Sequence, residues 1–207
     1  MDEIPPEPTP RQAVILDAAV VCFGRYGFRK TSMEDIAGEA QLSRTALYQH
    51  FGNKEKLLRA LSAYLYQQAL HRAESAAETE GRLGDRLFDV LDAKLGFFYE
   101  LLISSEHGLE ILDDNNRLCG DITAASEVRY ARILTRMVRS AQAAGELSVR
   151  DAGMSQQAMG EFFARCAEGL MGKGLDKPTP AEYRRRLRQL VDALVIGFGG
   201  TASSNRR

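Results

Sequence analysis

The stretch TSMEDIAGEAQLSRTALYQHFGNKE, residues 31–55, decides the fold because it places two very short helices one after the other. Thr31 and Glu34 have the spacing of a capping box, which predicts that a helix begins after Thr31. Ser43 has the position of an N-cap for a second helix, with Leu47 and Phe51 on its inward face. Two short helices joined by a turn of three or four residues form a helix-turn-helix.

The outward face of the second short helix carries residue types that contact DNA. Arginine pairs with guanine, glutamine pairs with adenine, and threonine contacts polar base edges or a thymine methyl group. Hydroxyl groups, backbone N–H groups and a lysine at neighbouring helix N-termini suit phosphate oxygens. The predicted DNA-binding residues are Thr31, Ser32, Arg44, Thr45, Tyr48, Gln49, His50 and Lys54.

The segment TSMEDIAGEAQLSRTALYQHFGNKEKLL, with ILDAAVVCFGRYGF before it, resembles the DNA-binding signature of the tetracycline-repressor (TetR/AcrR) family. The resemblance covers residues 11–58. It implies an all-helical homodimer that releases DNA when a small ligand enters the C-terminal domain. On matching positions, Tyr48 and Lys54 resemble phosphate contacts, and Arg44, Thr45 and Gln49 fall on base-facing positions. Gln41 departs from the family, which usually has glycine in this turn.

Thr9 and Thr179, each followed by a proline and, three residues after the threonine, by glutamine or glutamate, predict two further helix starts. Helical periodicity continues through the rest of the chain. We expect helices near residues 53–77, 85–104, 107–117 and 121–144, followed by two more. The predicted fold class is therefore all-α, with about nine helices, consisting of an N-terminal helix-turn-helix unit and a C-terminal helical bundle. The predicted domains are a disordered arm at 1–10, the DNA-binding domain at 11–56, and a ligand-binding and dimerisation domain at 57–207.

Composition and charge set few limits on function. The formal net charge is -1, which does not exclude DNA binding, because phosphate contacts need only a local cationic face. No apolar run approaches the roughly 20 residues of a membrane span, and the N-terminus lacks a signal-peptide pattern, so we expect a cytoplasmic protein. The three cysteines form no C-x-x-C pair.

Two polar clusters leave alternatives open. His50 follows Ser43 and Thr45 by about two helical turns or less, but no two of the three histidines fall within one helical turn. We therefore predict no metal site, no cofactor and no catalytic residue. The acidic segment at 104–116 is either a cation site or a solvated helix with Leu109 and Leu112 inward. The alternative functions are an all-α helical-bundle enzyme or metal-binding protein, and a helical scaffold that does not bind DNA.

The C-terminal half supplies candidate ligand and partner surfaces. A bundle pocket is mainly apolar, which favours an apolar small-molecule effector. Its candidate lining, in which pocket and core residues are not distinguished, is Phe98, Leu102, His107, Phe162, Phe163 and Cys166. A late apolar stripe predicts the homodimer interface: Leu187, Leu190, Val191, Leu194, Val195 and Phe198. A two-fold dimer implies a palindromic operator in double-stranded DNA, and repression is the role that the family resemblance implies.

Overall fold

The computed structural model describes residues 6–148, 153–171 and 177–199, and all regular structure in these residues is helical. This confirms the predicted all-α class with its helix-turn-helix. The α-helices are α1 Pro10–Tyr26, α2 Met33–Glu39, α3 Arg44–His50, α4 Lys54–Glu78, α5 Leu83–Leu91, α6 Phe97–Ile103, α7 Gly108–Ala143, α8 Gln156–Glu168 and α9 Pro180–Gly197.

A π-helical turn at Asp92–Gly96 joins α5 and α6 without a break. The predicted helix at 85–104 is therefore one continuous rod with a locally wider turn. A Cβ atom at Gly96 would lie 1.9 Å from the Asp92 carboxylate, so a larger residue there would have to displace Asp92 from its contact with Arg184.

The chain forms two compact units, whose boundary differs from the predicted boundary at residue 56. The first comprises the described residues up to Gln68 together with Leu101–Ser126, and the second comprises Ala69–Glu100 with the described residues from Glu127 onward. The first half of α7 thus belongs with the helix-turn-helix. Residues 1–5 of the predicted arm lie outside the described residues.

Helix caps were predicted correctly at Thr9 and Thr179, where each hydroxyl accepts an N–H three residues later. The prediction for Thr31 was wrong, because the N-cap of α2 is Ser32, which forms a capping box with Asp35. Thr31 is 1% exposed, and its hydroxyl donates to the carbonyls of Cys22 and Gly27. Thr31 and Ser32 are adjacent and both fit the sequence pattern of an N-cap. Ser32 takes this role because Thr31 is buried against the end of α1.

The predicted dimer stripe on α9 consists of two rows. Leu187, Val191 and Val195 are at most 1% exposed and lie in the core of their own unit, so these three residues are not available as a dimer surface. The other row is partly exposed and contains Leu190, Leu194 and Phe198. Both rows repeat every four residues, and the sequence pattern alone does not separate them.

The two helices predicted at 107–117 and 121–144 are one helix, α7, with a kink at Cys119, where φ is −129° and ψ is 19°. The kink leaves the Leu118 carbonyl to accept a hydrogen bond from Arg59 of α4. The same guanidinium binds both oxygens of Asp121, at 2.8 and 2.6 Å. Arg59 therefore links α4 to the kink of α7. Its hydrogen bond with Asp121 is the main cause that lowers the pKa of this carboxyl group to about 2.

The turn between α2 and α3 places Gln41 in the left-handed region, with φ of 54°. Leu42 N–H donates to the Ala37 carbonyl at 2.8 Å, which is the contact that closes a helix in a Schellman motif. Glycine adopts this φ without steric cost, whereas Gln41 adopts it at a cost because its Cβ atom crowds the backbone.

We expect Gln41→Gly to stabilise the protein by about 1 kcal/mol, because it removes a left-handed residue that carries a Cβ atom. For a chain of this size, the melting temperature should rise by about 2–4 °C. Gln41→Ala keeps the Cβ atom and is the matched control. Equal stabilisation by alanine would show that backbone strain is not the cause.

We expect Asp121→Asn to lower the urea midpoint at neutral pH. The folded pKa of Asp121 is depressed, so its stabilising contribution is present above the unfolded pKa of about 4 and is lost as pH falls towards about 2. The difference from the wild type should therefore shrink across that window. Asp17→Asn, on the exposed face of α1, is the control. A pH-independent difference at Asp121 would contradict the ion-pair assignment.

Candidate nucleic-acid interface

Helix α3 has one buried side and one polar, exposed side. Leu47 is completely buried and Phe51 is 7% exposed, and these two residues fix α3 on the core of the first unit. Ser43 caps the helix by accepting the Ala46 N–H at 3.1 Å. The structure brings five of the predicted DNA-binding residues together on the exposed part of this helix: Arg44, Thr45, Tyr48, Gln49 and His50.

Arg44 has partners on both sides in this structure. Its guanidinium pairs with Glu34 of α2 and lies 5.6 Å from the centre of the Tyr48 ring. The hydrogen bond with Tyr48, followed by the charge of Glu34, raises the pKa of Arg44. The side chains of Arg44 and Glu34 are 61% and 63% exposed, so water screens the pair, and another anion can displace the carboxylate. The sequence predicted Glu34 as part of a capping box and not as a partner of Arg44.

Lys54, a predicted phosphate contact, has a structural role in this structure. Its ammonium donates to the carbonyls of Phe28 at 2.7 Å, Arg29 at 3.0 Å and Thr31 at 2.7 Å. Partial burial lowers the pKa of this lysine. Because an ammonium has three N–H donors, all of them are engaged by the loop between α1 and α2.

The two hydroxyl residues before α2 differ in exposure. Ser32 is exposed, and its hydroxyl both donates to the Asp35 carboxylate and accepts the Asp35 N–H. This carboxylate lies at the N-terminus of α2, where hydrogen bonds from Ser32 lower its pKa. Thr31 is buried, so of the two side chains only that of Ser32 is accessible to a phosphate.

The acidic start of α7 packs against the α1–α2 loop, contrary to the prediction of a solvated helix. Asp114 is 2% exposed and binds Arg29 and Arg117, at 3.4 and 3.0 Å. Leu109 and Leu112 are instead 55% and 41% exposed. The orientation is reversed because the carboxylates satisfy loop donors, including the Arg29 N–H, which donates to Glu110 at 3.1 Å.

The predicted ligand-binding residues are divided between the two units. Leu102 and His107 belong to the first unit, and the other four belong to the second. Phe163 is completely buried in the core of the second unit, whereas Phe98, Phe162 and Cys166 are half-buried. The rings of Phe162 and Phe163 lie about 6 Å from the Phe198 ring, at 6.2 and 5.9 Å.

The described part of the chain offers neither a metal cluster nor a membrane span. Its residues contain no group of three or more histidine, cysteine, aspartate or glutamate side chains arranged to hold a metal ion. None of the described helices is both long and apolar enough to cross a membrane.

Comparison with known proteins agrees with the geometry of α2 and α3. The family described as "Bacterial regulatory proteins, tetR family" matches residues 15–61, which include both helices. The "Probable HTH-type transcriptional regulator ArpR" of Pseudomonas putida is 30% identical over 193 residues, covering 87% of this chain and 88% of that protein. The likeness to this relative therefore extends well beyond the DNA-binding unit.

Solved structures share the fold. SmeT, the repressor of the Stenotrophomonas maltophilia multidrug efflux pump SmeDEF, superposes with a TM-score of 0.64 at 21% identity, over 90% of this chain and 89% of that chain. The TetR-family regulator PfmR of Thermus thermophilus gives 0.60 at 24% identity, over 88% and 97%. A complex of SmeT with triclosan gives 0.63 at 19% identity, over 91% of both chains. With its helix-turn-helix and its similarity to ArpR along most of its length, the chain belongs to the TetR family of bacterial transcriptional regulators.

Proposed function

We propose that this protein is a ligand-responsive repressor that reads DNA with the exposed face of α3. The observation that carries the proposal is the division of α3 into a buried apolar side and an exposed side with five polar or aromatic residues. A recognition helix needs this division, because it must be held rigidly while its outer side enters the major groove.

The exposed residues divide into two groups by their chemistry. Arg44, Thr45 and Gln49 have the donors and acceptors that distinguish bases. Tyr48, His50 and Ser32 are suited to phosphate or sugar oxygens, which position the protein without reading sequence. Arg44 reaches a guanine only after leaving Glu34, so Glu34 opposes non-specific binding of the arginine to phosphates.

The dimer and its operator follow from symmetry. A homodimer places two copies of α3 about 34–36 Å apart, or at a multiple of one DNA turn, on a palindromic site in double-stranded DNA. We assign the partner surface to the partly exposed row of α9, Leu190, Leu194 and Phe198. A protein that acts on chromosomal DNA works in the cytoplasm.

The proposed effector is a small, apolar molecule bound among the helices. The complex of SmeT with triclosan supports a small-molecule effector, because SmeT has the same fold. In this chain the candidate residues are Phe98, Phe162 and Cys166, which are half-buried side chains of the second unit. To release DNA, the ligand must bind the DNA-free conformation more tightly than the DNA-bound one, and the coupling is reciprocal.

Helices α4 and α7 are the proposed path of this coupling. Both run from the first unit into the second. In the first unit, α4 holds the α1–α2 loop through Lys54, and α7 holds it through Glu110 and Asp114. A shift of either helix therefore acts directly on the loop that leads into α2 and α3. The regulators found among the relatives favour this function over a helical-bundle enzyme.

We expect Arg44→Ala to weaken specific DNA binding by about tenfold to a hundredfold and to relax base preference at one position in each half-site. Tyr48→Phe should weaken binding with little change in preference. The measurement is DNA selection with the purified protein, followed by fluorescence anisotropy on the selected site. Arg82→Ala, an exposed arginine outside α2 and α3, is the control. Wild-type affinity in both α3 variants would exclude α3 as the reading helix.

We expect Lys54→Gln to lower the melting temperature, because one amide cannot satisfy the three loop carbonyls that the ammonium holds. The dependence of DNA affinity on salt should change little, because this ammonium has no N–H left for a phosphate. If Lys54 contacted a phosphate directly, the substitution would instead reduce the slope of log affinity against log salt concentration by about 0.9. An unchanged melting temperature with a reduced slope would restore the phosphate role predicted from the sequence.

A further inference from the structure

Helix α7 carries a row of arginines that the DNA-binding function does not use. Arg129, Arg132, Arg136 and Arg139 are spaced by three or four residues, so they project from one face of the helix, and all four are exposed. Like charges at these spacings repel each other and destabilise a helix. The row therefore lowers the stability of the protein unless nearby negative charge offsets the repulsion.

A groove in the second unit has this row as one wall. Its volume is about 760 Å³, and the opposite wall comes from α8, with Gln157, Glu161 and Arg165. The two helices approach closely at Gly160, where a Cβ atom would lie 3.1 Å from the Leu134 Cβ atom. This close contact fixes the spacing of the two walls.

The carboxylates in the groove are already engaged by other groups. Glu74 pairs with Arg129 at 3.1 Å and lies 4.0 Å from Arg136, and Glu161 pairs with Arg165 at 3.8 Å. The third carboxylate, Glu127, binds Lys94. Five arginines and three glutamates thus line the groove, which leaves positive charge in excess.

Among the described residues, two arginines of the row have no carboxylate partner. Arg139 donates to the neutral amide of Gln156 at 3.1 Å. Within the described residues, Arg132 forms neither an ion pair nor a hydrogen bond. A guanidinium presents two parallel N–H donors that match the oxygens of a phosphate or carboxylate group. The vacant donors therefore point to an anionic ligand.

We propose that the α7–α8 groove binds a small polyanion bearing phosphate or carboxylate groups, with Arg132 and Arg139 as its principal contacts. The volume falls within the range of small-molecule sites. Glu74 and Glu161 on the walls disfavour the continuous phosphate backbone of a nucleic acid. This site is separate from α3 and does not depend on the proposed repressor function.

The test is isothermal titration of the full-length protein with pyrophosphate and, separately, citrate, at fixed ionic strength in a buffer without other multivalent anions. We expect saturable binding of at least one probe, with one site per chain. Arg132→Gln with Arg139→Gln should weaken it by about tenfold or more. The two probes separate a phosphate site from a carboxylate site.

The control is Arg11→Gln with Arg82→Gln, which removes the same charge from exposed positions outside the groove and should leave probe binding unchanged. Equal weakening in both double variants would reduce the effect to net charge and overturn the proposal. The absence of saturable binding for both probes would also overturn it. The proposal would also be overturned if the Arg132/Arg139 double variant bound both probes normally and lost only non-specific affinity for duplex DNA, because the groove would then be part of a DNA-binding surface.

Discussion

The position of α3 depends on the ammonium of Lys54 and the three loop carbonyls that it binds. A loop between helices leaves backbone carbonyls without helical partners, and a buried carbonyl that lacks a donor is costly. Lys54 supplies three donors from the first residue of α4, and the Thr31 hydroxyl donates to two further carbonyls at the end of α1. Glu110 receives the Arg29 N–H from the other side. These polar contacts fix where α2 begins, and the apolar contacts of Leu47 and Phe51 then fix α3.

The two sides of this unit differ in how easily their ion pairs exchange partners. Asp114 is almost fully buried, so loss of Arg29 and Arg117 would leave a carboxylate without compensation, and the contact is expected to persist. The Arg44–Glu34 pair is exposed on both partners and is stabilised only weakly. A surface that must exchange a carboxylate for a base or a phosphate requires pairs of the second kind. The buried pairs of Asp114 persist and the exposed Arg44–Glu34 pair can exchange, and this combination is consistent with a recognition surface.

The features that the sequence predicted correctly are those with a local signature. The capping residues of α1 and α9, the short α2 and α3, and the exposed face of α3 all follow from spacing within a few residues. The errors involve partners that are distant in the sequence. Arg29 and Asp114 are 85 residues apart, and without that contact an acidic helix start is expected to be solvated. On α9, three residues of the predicted stripe lie in the core for a related reason, because periodicity shows that residues share a face but not which neighbour covers it.

A net charge near zero is a poor guide to anion binding in this chain. Many of its carboxylates are engaged by specific cations inside one unit: Asp114 by Arg29, Asp121 by Arg59, and Glu127 by Lys94. These pairs cancel in the total charge and leave little field outside. A ligand encounters the local charge that remains unpaired, which on α7 is positive because the row of arginines outnumbers the nearby carboxylates. The same reasoning applies to α3, where, among the described residues, the carboxylate that balances Arg44 is that of the exposed Glu34, which another anion can displace.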